Sequence, residues 1–173
     1  MTFVYVGLDR GDTTVAAAEH WLHELLEGTD QSGIVTCTHF VRVPTPHVAV
    51  SVALPAGAAV PPLPEPAEQF AEGARIARDE HASGTGGRAV TFPGRTAMVG
   101  VMTVAELLSA GAIERVAVLG SSAHPDPATE VDTLSYVRPQ WMNGSLTLLT
   151  QPANGGRLAP FELADQKDCC SDH

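Results

Sequence analysis

Apolar and polar residues are spaced along the first thirty positions in two different ways. Residues 3–8 alternate and include β-branched side chains, which predicts a strand, and the run Asp9-Arg10-Gly11-Asp12 that follows predicts a turn. A helix should come next, capped by Asp12 or Thr13 and ended near Gly28. Its apolar face recurs at helical spacing and comprises Val15, Ala18, Leu22, Leu25 and Leu26.

The middle of the chain is divided by prolines. Residues 33–43 and 47–54 have strand character and flank Pro44-Thr45-Pro46, so they predict a hairpin or a wider connection. The proline-rich segment 55–66 indicates a stiff surface connector. The small apolar residues of segment 67–82 predict a helix that packs closely on a sheet and ends at the glycines from Gly84.

The rest of the chain adds one helix and several strands. Residues 88–102 have extended character, and Thr103 with Glu106 has the spacing of a capping box, so a short helix should run to about Gly111. A buried strand is predicted at 115–119. Asn143-Gly144 predicts a tight hairpin turn, and a second turn at 154–156 completes a three-stranded antiparallel meander.

These elements predict an α+β fold, with α/β as the alternative, in which about three helices pack on a mixed sheet. We expect residues 1–162 to form a single domain and residues 163–173 to form a polar C-terminal tail.

Composition limits the partners that the chain is expected to have. A net charge of -10 on 173 residues repels phosphate backbones and anionic lipid, so neither nucleic acid nor a membrane is an expected partner. The start of the chain lacks the features of a signal peptide, which predicts a cytoplasmic protein with reduced cysteines. A single lysine among abundant Ala, Gly, Pro and Arg suggests a GC-rich bacterial source.

The C-terminal tail carries the least ordinary residues. Cys169, Cys170 and His173 are ligands that soft metal ions prefer, and Cys37 and His39 lie two apart on a predicted strand, so their side chains should face the same way. If the tail folds back, these residues could hold zinc or iron. The alternative is a solvated tail and a buried Cys37 that behaves as a small apolar residue.

A second candidate site depends on how two strands are arranged. If the strands 3–8 and 115–119 are parallel neighbours, Asp9 and Arg10 would meet Ser121, Ser122 and His124 at one edge of the sheet. Those side chains would suit a small molecule, with Arg10 binding an anionic group. The alternative is that both segments are simple turns.

Other functions are less well supported. His20, His23, Glu24 and Glu27 share a stripe on the first predicted helix, but their order differs from the HExxH motif and such faces are usually solvated. No GxSxG elbow, phosphate loop or dinucleotide fingerprint is present, so a non-catalytic subunit is also considered, as a homo-oligomer joined at a sheet edge or as part of another protein's complex. Metal binding ranks first because packing explains its residues least well.

Overall fold

The structure, a computed structural model, describes residues 2–59 and 62–164. Within these residues ten strands and three α-helices are formed. None of these helices is long and apolar enough to cross a membrane. The elements in chain order are β1 (Phe3–Asp12), α1 (Val15–Leu25), β2 (Val35–Val41), β3 (His47–Pro55), α2 (Ala71–Ser83), β4 (Arg88–Thr91), β5 (Val101–Thr103), α3 (Val104–Ala110), β6 (Arg115–Val118), β7 (Glu130–Asp132), β8 (Gln140–Met142), β9 (Ser145–Pro152) and β10 (Leu158–Pro160).

The chain divides into two compact units. The first comprises the residues up to Pro93 together with Gln140–Leu146, and the second comprises Gly94–Pro139 and the chain from Thr147 onward. In the first unit the strands follow the order β1-β3-β2-β4-β8, and every pair is antiparallel. The prediction of one domain over 1–162 stays a prediction.

The two faces of β3 are covered by different helices. Val48, Val50 and Val52 pack into an apolar core with residues of α1 such as Ala18 and Leu22. The alternate residues of β3 face α2, where Ala49 packs with Ala77. Because β3 is buried on both faces, polar side chains on the α2 side are shielded from water.

The second unit contains a mixed arrangement of strands. β5 and β7 are antiparallel, β7 and β10 are parallel, β10 and β9 are antiparallel, and β6 lies parallel to β9. The predicted capping box is confirmed at the start of α3, where Thr103 and Glu106 exchange side-chain and backbone hydrogen bonds. The predicted α+β fold, with a mixed sheet and three helices, is confirmed.

The turn predicted at Asp9-Arg10-Gly11-Asp12 is wrong. β1 continues to Asp12, and its pairing with β3 shifts between Leu8 and Asp12, which marks a β-bulge. Gly11 has a φ of 77° there, a left-handed conformation that glycine adopts without strain. The residues that favour a turn therefore form a bulge inside a longer strand.

Two smaller points need correction. The cap of α1 is Thr14, whose side chain accepts from the Ala17 N–H, and neither Asp12 nor Thr13. The strand Glu130–Asp132 was not predicted, because three residues are too few to show alternation.

The predicted C-terminal meander is confirmed. The Asn143-Gly144 turn joins β8 to β9, and β9 pairs antiparallel with β10. In addition, β9 pairs in parallel with β6, and β10 pairs in parallel with β7.

Candidate metal centre

Cys37 and His39 lie on β2 with their side chains on the face that α2 covers. Cys37 is opposite Ser51 in the antiparallel register with β3, and His39 is opposite Ala49. All three polar residues are buried, with exposed fractions of 0%, 2% and 0% for Cys37, His39 and Ser51. The prediction that Cys37 and His39 face the same side is thus confirmed.

His81 completes a buried group of three metal-ligating side chains. It lies on the last turn of α2 and is 2% exposed. One ligand atom each from Cys37, His39 and His81 lies within 4.8 Å of the others. His81 Nε2 is 3.8 Å from Cys37 Sγ. This Cys/His/His group could hold a metal ion.

A single path of hydrogen bonds runs through the group. His39 Nδ1 is 2.8 Å from Glu80 Oε2, and His39 Nε2 is 2.8 Å from Ser51 Oγ. Ser51 Oγ is also 2.8 Å from His81 Nδ1, and His81 Nε2 faces Cys37. Glu80, with a side chain that is 38% exposed, is the member of this path that reaches solvent.

The chemistry of the path fixes the direction of its hydrogen bonds when both imidazoles are neutral. A carboxylate only accepts, so His39 Nδ1–H donates to Glu80 and His39 Nε2 accepts from the Ser51 hydroxyl. Ser51 then accepts from His81 Nδ1–H, which leaves His81 Nε2 to accept from the Cys37 thiol. Each imidazole therefore turns one lone pair toward the interior of the group.

Burial favours the neutral forms of Cys37 and His81. It raises the pKa of the Cys37 thiol strongly, and the nearby Trp141 and Ser51 side chains, which favour the thiolate, only partly oppose this. Burial, with a smaller contribution from nearby His39, lowers the pKa of His81 to about 3. Such a buried thiol resists ionisation on its own, but a metal ion that binds the sulfur displaces its proton. A neutral imidazole is the form of histidine that binds metals.

Aromatic rings and a glycine close the site. The Tyr5 ring meets the His81 ring edge-on at 5.2 Å, and the Trp141 ring lies 5.9 Å from it. The Trp141 Nε1–H is buried and has no hydrogen-bond partner of ordinary geometry in the described residues. Gly87, the residue before β4, lies against the His39 imidazole. A Cβ at this position would lie 2.6 Å from His39 Cε1, which leaves no room for a side chain.

The remaining predicted metal ligands, Cys169, Cys170 and His173, lie outside the described residues. His81 was missed by sequence reasoning, although a signal exists. It follows Ala74 and Ala77 at helical spacing, so it continues the buried stripe of α2. The charged residues that precede it, Asp79 and Glu80, make this part of the helix look solvated.

The candidate small-molecule site is not brought together by strand pairing. β1 pairs with β3 and β6 pairs with β9 in the described residues, so the parallel pairing that the prediction required is not formed. Asp9 and Arg10 belong to the first unit. Ser121, Ser122 and His124 belong to the second and are all exposed, and Ser121 Oγ accepts from the Ala123 N–H in a local turn.

Asp9 instead forms a buried pair that the sequence did not indicate. His47 Nε2 is 2.7 Å from Asp9 Oδ2, and the two side chains are 3% and 0% exposed. Gly11 N–H donates to the other carboxylate oxygen at 2.9 Å. The stripe on α1, by contrast, is solvated as expected, since His20 and Glu24 are 76% and 59% exposed.

No protein-family model, no curated protein and no solved structure matches this chain. Function is therefore inferred from the geometry of the buried polar groups.

Proposed function

We propose that the chain is a metal-binding protein whose centre consists of Cys37, His39 and His81 and holds zinc or a similar soft transition-metal ion. The observation that supports this most directly is the convergence of three buried ligand atoms within 4.8 Å. Thiolate and imidazole are the donors that zinc and copper prefer, whereas magnesium and calcium need oxygen donors.

The spacing of the donors suits such an ion. Zinc bonds of about 2.3 Å to sulfur and about 2.0–2.1 Å to nitrogen separate the two donor atoms by about 3.5–3.8 Å in tetrahedral or trigonal geometry. The distance from Cys37 Sγ to His81 Nε2 is 3.8 Å. A metal ion could therefore bridge these two atoms with little movement of either side chain.

Hydrogen bonds to the outer nitrogens support the same proposal. Glu80 takes the Nδ1–H of His39, and Ser51 takes the Nδ1–H of His81, so the Nε2 atom of each ring carries the lone pair. To bind the ion, His39 Nε2 would exchange the hydrogen bond that it accepts from the Ser51 hydroxyl for the metal bond. Metal-binding histidines are usually oriented in this way by a carboxylate or another acceptor. Three protein ligands leave a fourth position, for which water, Ser51 or one of the tail residues are candidates.

The path from Glu80 through His39 to Ser51 also has the order of a hydrolase triad, which favours a different class of function. A nucleophilic serine must meet its substrate, and Ser51 is 0% exposed between two imidazoles. An acyl substrate could not reach this hydroxyl without separating α2 from the sheet. A metal ion can instead be bound as the chain folds around it, so metal binding is the better proposal.

The test is a metal assay on untagged protein. We expect about one equivalent of zinc or cobalt after reconstitution. In a chain that ends at Lys167, where Cys37 is the only cysteine left, a thiolate-to-cobalt charge-transfer absorption reports Cys37 directly. His81→Gln should remove the metal, while the matched variant His20→Gln, on the exposed face of α1, should retain it. A chain that ends at Lys167 should also retain it if the three buried residues suffice.

Two results would overturn the proposal. One is wild-type protein that stays free of metal after anaerobic reconstitution, because the hydrogen-bond path would then be purely structural. The other is metal that persists in His81→Gln but is lost on truncation at Lys167, because the tail would then bind the ion without the buried group. The cobalt absorption is measured on the chain that ends at Lys167, in which the buried group is unchanged, so a His81→Gln variant that fails to fold does not remove the test.

A further inference from the structure

A partly open cavity of about 190 Å³ lies beside β1 in the first unit. The rings of Trp21 and Phe70 contribute to its walls. Three charged residues also line it, namely Asp9, Arg10 and Glu65. An apolar cavity of about 150 Å³ is large enough to hold one benzene ring. The size therefore suits a single ring with a small substituent.

The walls of this cavity are fixed before any ligand arrives. The Arg10 guanidinium lies 4.7 Å above the Trp21 ring, which holds both side chains in place. The Phe70 ring lies 5.4 Å from the His47 ring, and the tip of Phe70 contacts Gly11 so closely that a Cβ there would lie 2.4 Å from Phe70 Cζ. Preformed, mostly apolar pockets with few polar groups are typical of small-molecule sites.

The polar groups differ in what they can still bind. The Asp9 carboxylate already accepts from His47 and from Gly11 N–H, and its side chain is 0% exposed. Arg10 donates from Nε to Asp12 at 2.8 Å and from Nη2 to a backbone carbonyl at 3.4 Å. Its Nη1 has no partner among the described residues, so two N–H donors of a permanent cation remain for an incoming acceptor.

We propose that this cavity binds a single-ring aromatic carboxylate, with the ring against Trp21 and Phe70 and the carboxylate on Arg10 Nη1. Arginine binds carboxylates through charge-assisted hydrogen bonds, and the aromatic walls recognise a planar ring. Glu65 is exposed on the proline-rich connector and opposes an anionic ligand. The site is separate from the Cys/His/His group, and the proposal does not depend on metal binding.

The experiment is a titration of the full chain with benzoate, followed by calorimetry and by amide and indole shifts in two-dimensional NMR. We expect saturable binding that moves the Trp21 indole signal. Arg10→Gln should weaken binding about tenfold or more, because it removes a charged donor to a carboxylate. Arg42→Gln makes the same change in net charge at an exposed position of the first unit and should leave the affinity unchanged.

Two further variants test the charge and the volume of the cavity separately. Glu65→Gln should tighten benzoate binding, since it removes a repulsive charge from the connector. Ala67→Phe should block binding, because the larger side chain would fill the cavity. Benzylamine should bind more weakly than benzoate. The proposal is overturned if benzylamine binds as tightly as benzoate, if Glu65→Gln weakens benzoate, or if benzoate does not bind at about 10 mM. The Glu65 variant lies on an exposed loop, so the test survives a failure of Arg10→Gln to fold.

Discussion

The buried pair of Asp9 and His47 predicts how the stability of the fold depends on pH. His47 Nδ1 lies 2.6 Å from the Thr45 carbonyl oxygen and Nε2 lies 2.7 Å from Asp9 Oδ2. Both partners only accept, so both ring nitrogens must donate and His47 is an imidazolium. Burial alone would lower the pKa of His47, but the bonds to Thr45 and Asp9 and the charges of Asp9 and Asp12 outweigh it, and the pKa is raised.

The sign of the effect follows from this raised pKa. An unfolded histidine has a pKa of about 6.5, so the stabilisation by the charged pair is fully present below that pH and is lost as the pH rises through the pKa of the folded state. In that window the folded protein binds more protons than the unfolded chain. The free energy of unfolding should therefore fall with pH, by at most about 1.4 kcal/mol per pH unit for one group.

Asp9→Asn isolates this contribution. The amide can still accept from Gly11 N–H, while its NH₂ group would donate to a neutral His47, so the pair loses its charge without losing its shape. The difference in free energy of unfolding between wild type and Asp9→Asn should be largest at the acidic end of the range and should shrink as the pH rises above about 6.5. Asp9→Ala removes the partner altogether and should cost about 3–5 kcal/mol at pH 6, the usual penalty for breaking a buried ion pair.

The measurement is urea unfolding of wild type and Asp9→Asn between about pH 5.5 and pH 9, analysed by linear extrapolation. The lowered pKa of His81 makes the free energy of unfolding decrease as the pH becomes acidic. His81 is present in both proteins, so this effect cancels in the difference. A difference that stays constant or grows with rising pH would refute the assignment of His47 as an imidazolium.

Three further predictions concern stability. Ser51→Ala should destabilise the fold by about 1–3 kcal/mol in urea unfolding, because one hydroxyl serves two buried imidazole nitrogens; no loss would mean that the path is not formed. Gly73→Ala should destabilise the fold, because the added Cβ would lie 2.0 Å from Asp9 Oδ2, even though alanine is more favourable than glycine in a helix by about 1 kcal/mol. A raised melting temperature would contradict this packing. Thr103→Ala should cost about 1 kcal/mol by removing the cap of α3, Thr103→Ser should restore most of it, and equal stability of all three proteins would refute the capping box.

Local patterns were sufficient to predict much of the fold. The capping box at Thr103, the turn at Asn143-Gly144 and the glycine that ends α2 each act within a few residues, so their signals are complete in the sequence. The bulge in β1 was predicted as a turn because Asp, Gly and Arg residues occur in both structures. The strand continues past the bulge because Asp12 pairs with Val48, and this contact with a distant residue cannot be seen in the local sequence.

The same distinction applies to the candidate site. Cys37 and His39 could be placed on one face because strand alternation is local. Ser51 comes opposite Cys37 only through the register of β2 with β3, and His81 arrives from a helix thirty residues further along the chain than Ser51. Sequence reasoning therefore predicted two members of the group and looked for the others in the tail, since the tertiary arrangement that supplies them has no sequence signature of its own.

The surroundings of Trp141 are consistent with the proposed metal centre. Along the path from Glu80 to Cys37 every hydrogen bond has a donor and an acceptor, yet the buried Trp141 Nε1–H has no partner of ordinary geometry in the described residues. Its indole is nevertheless close enough to favour ionisation of Cys37. A neutral thiol is a weak acceptor, whereas a thiolate bound to a metal ion would be a good one. In the metal-bound state proposed above, the sulfur would carry negative charge and would accept from this buried indole N–H.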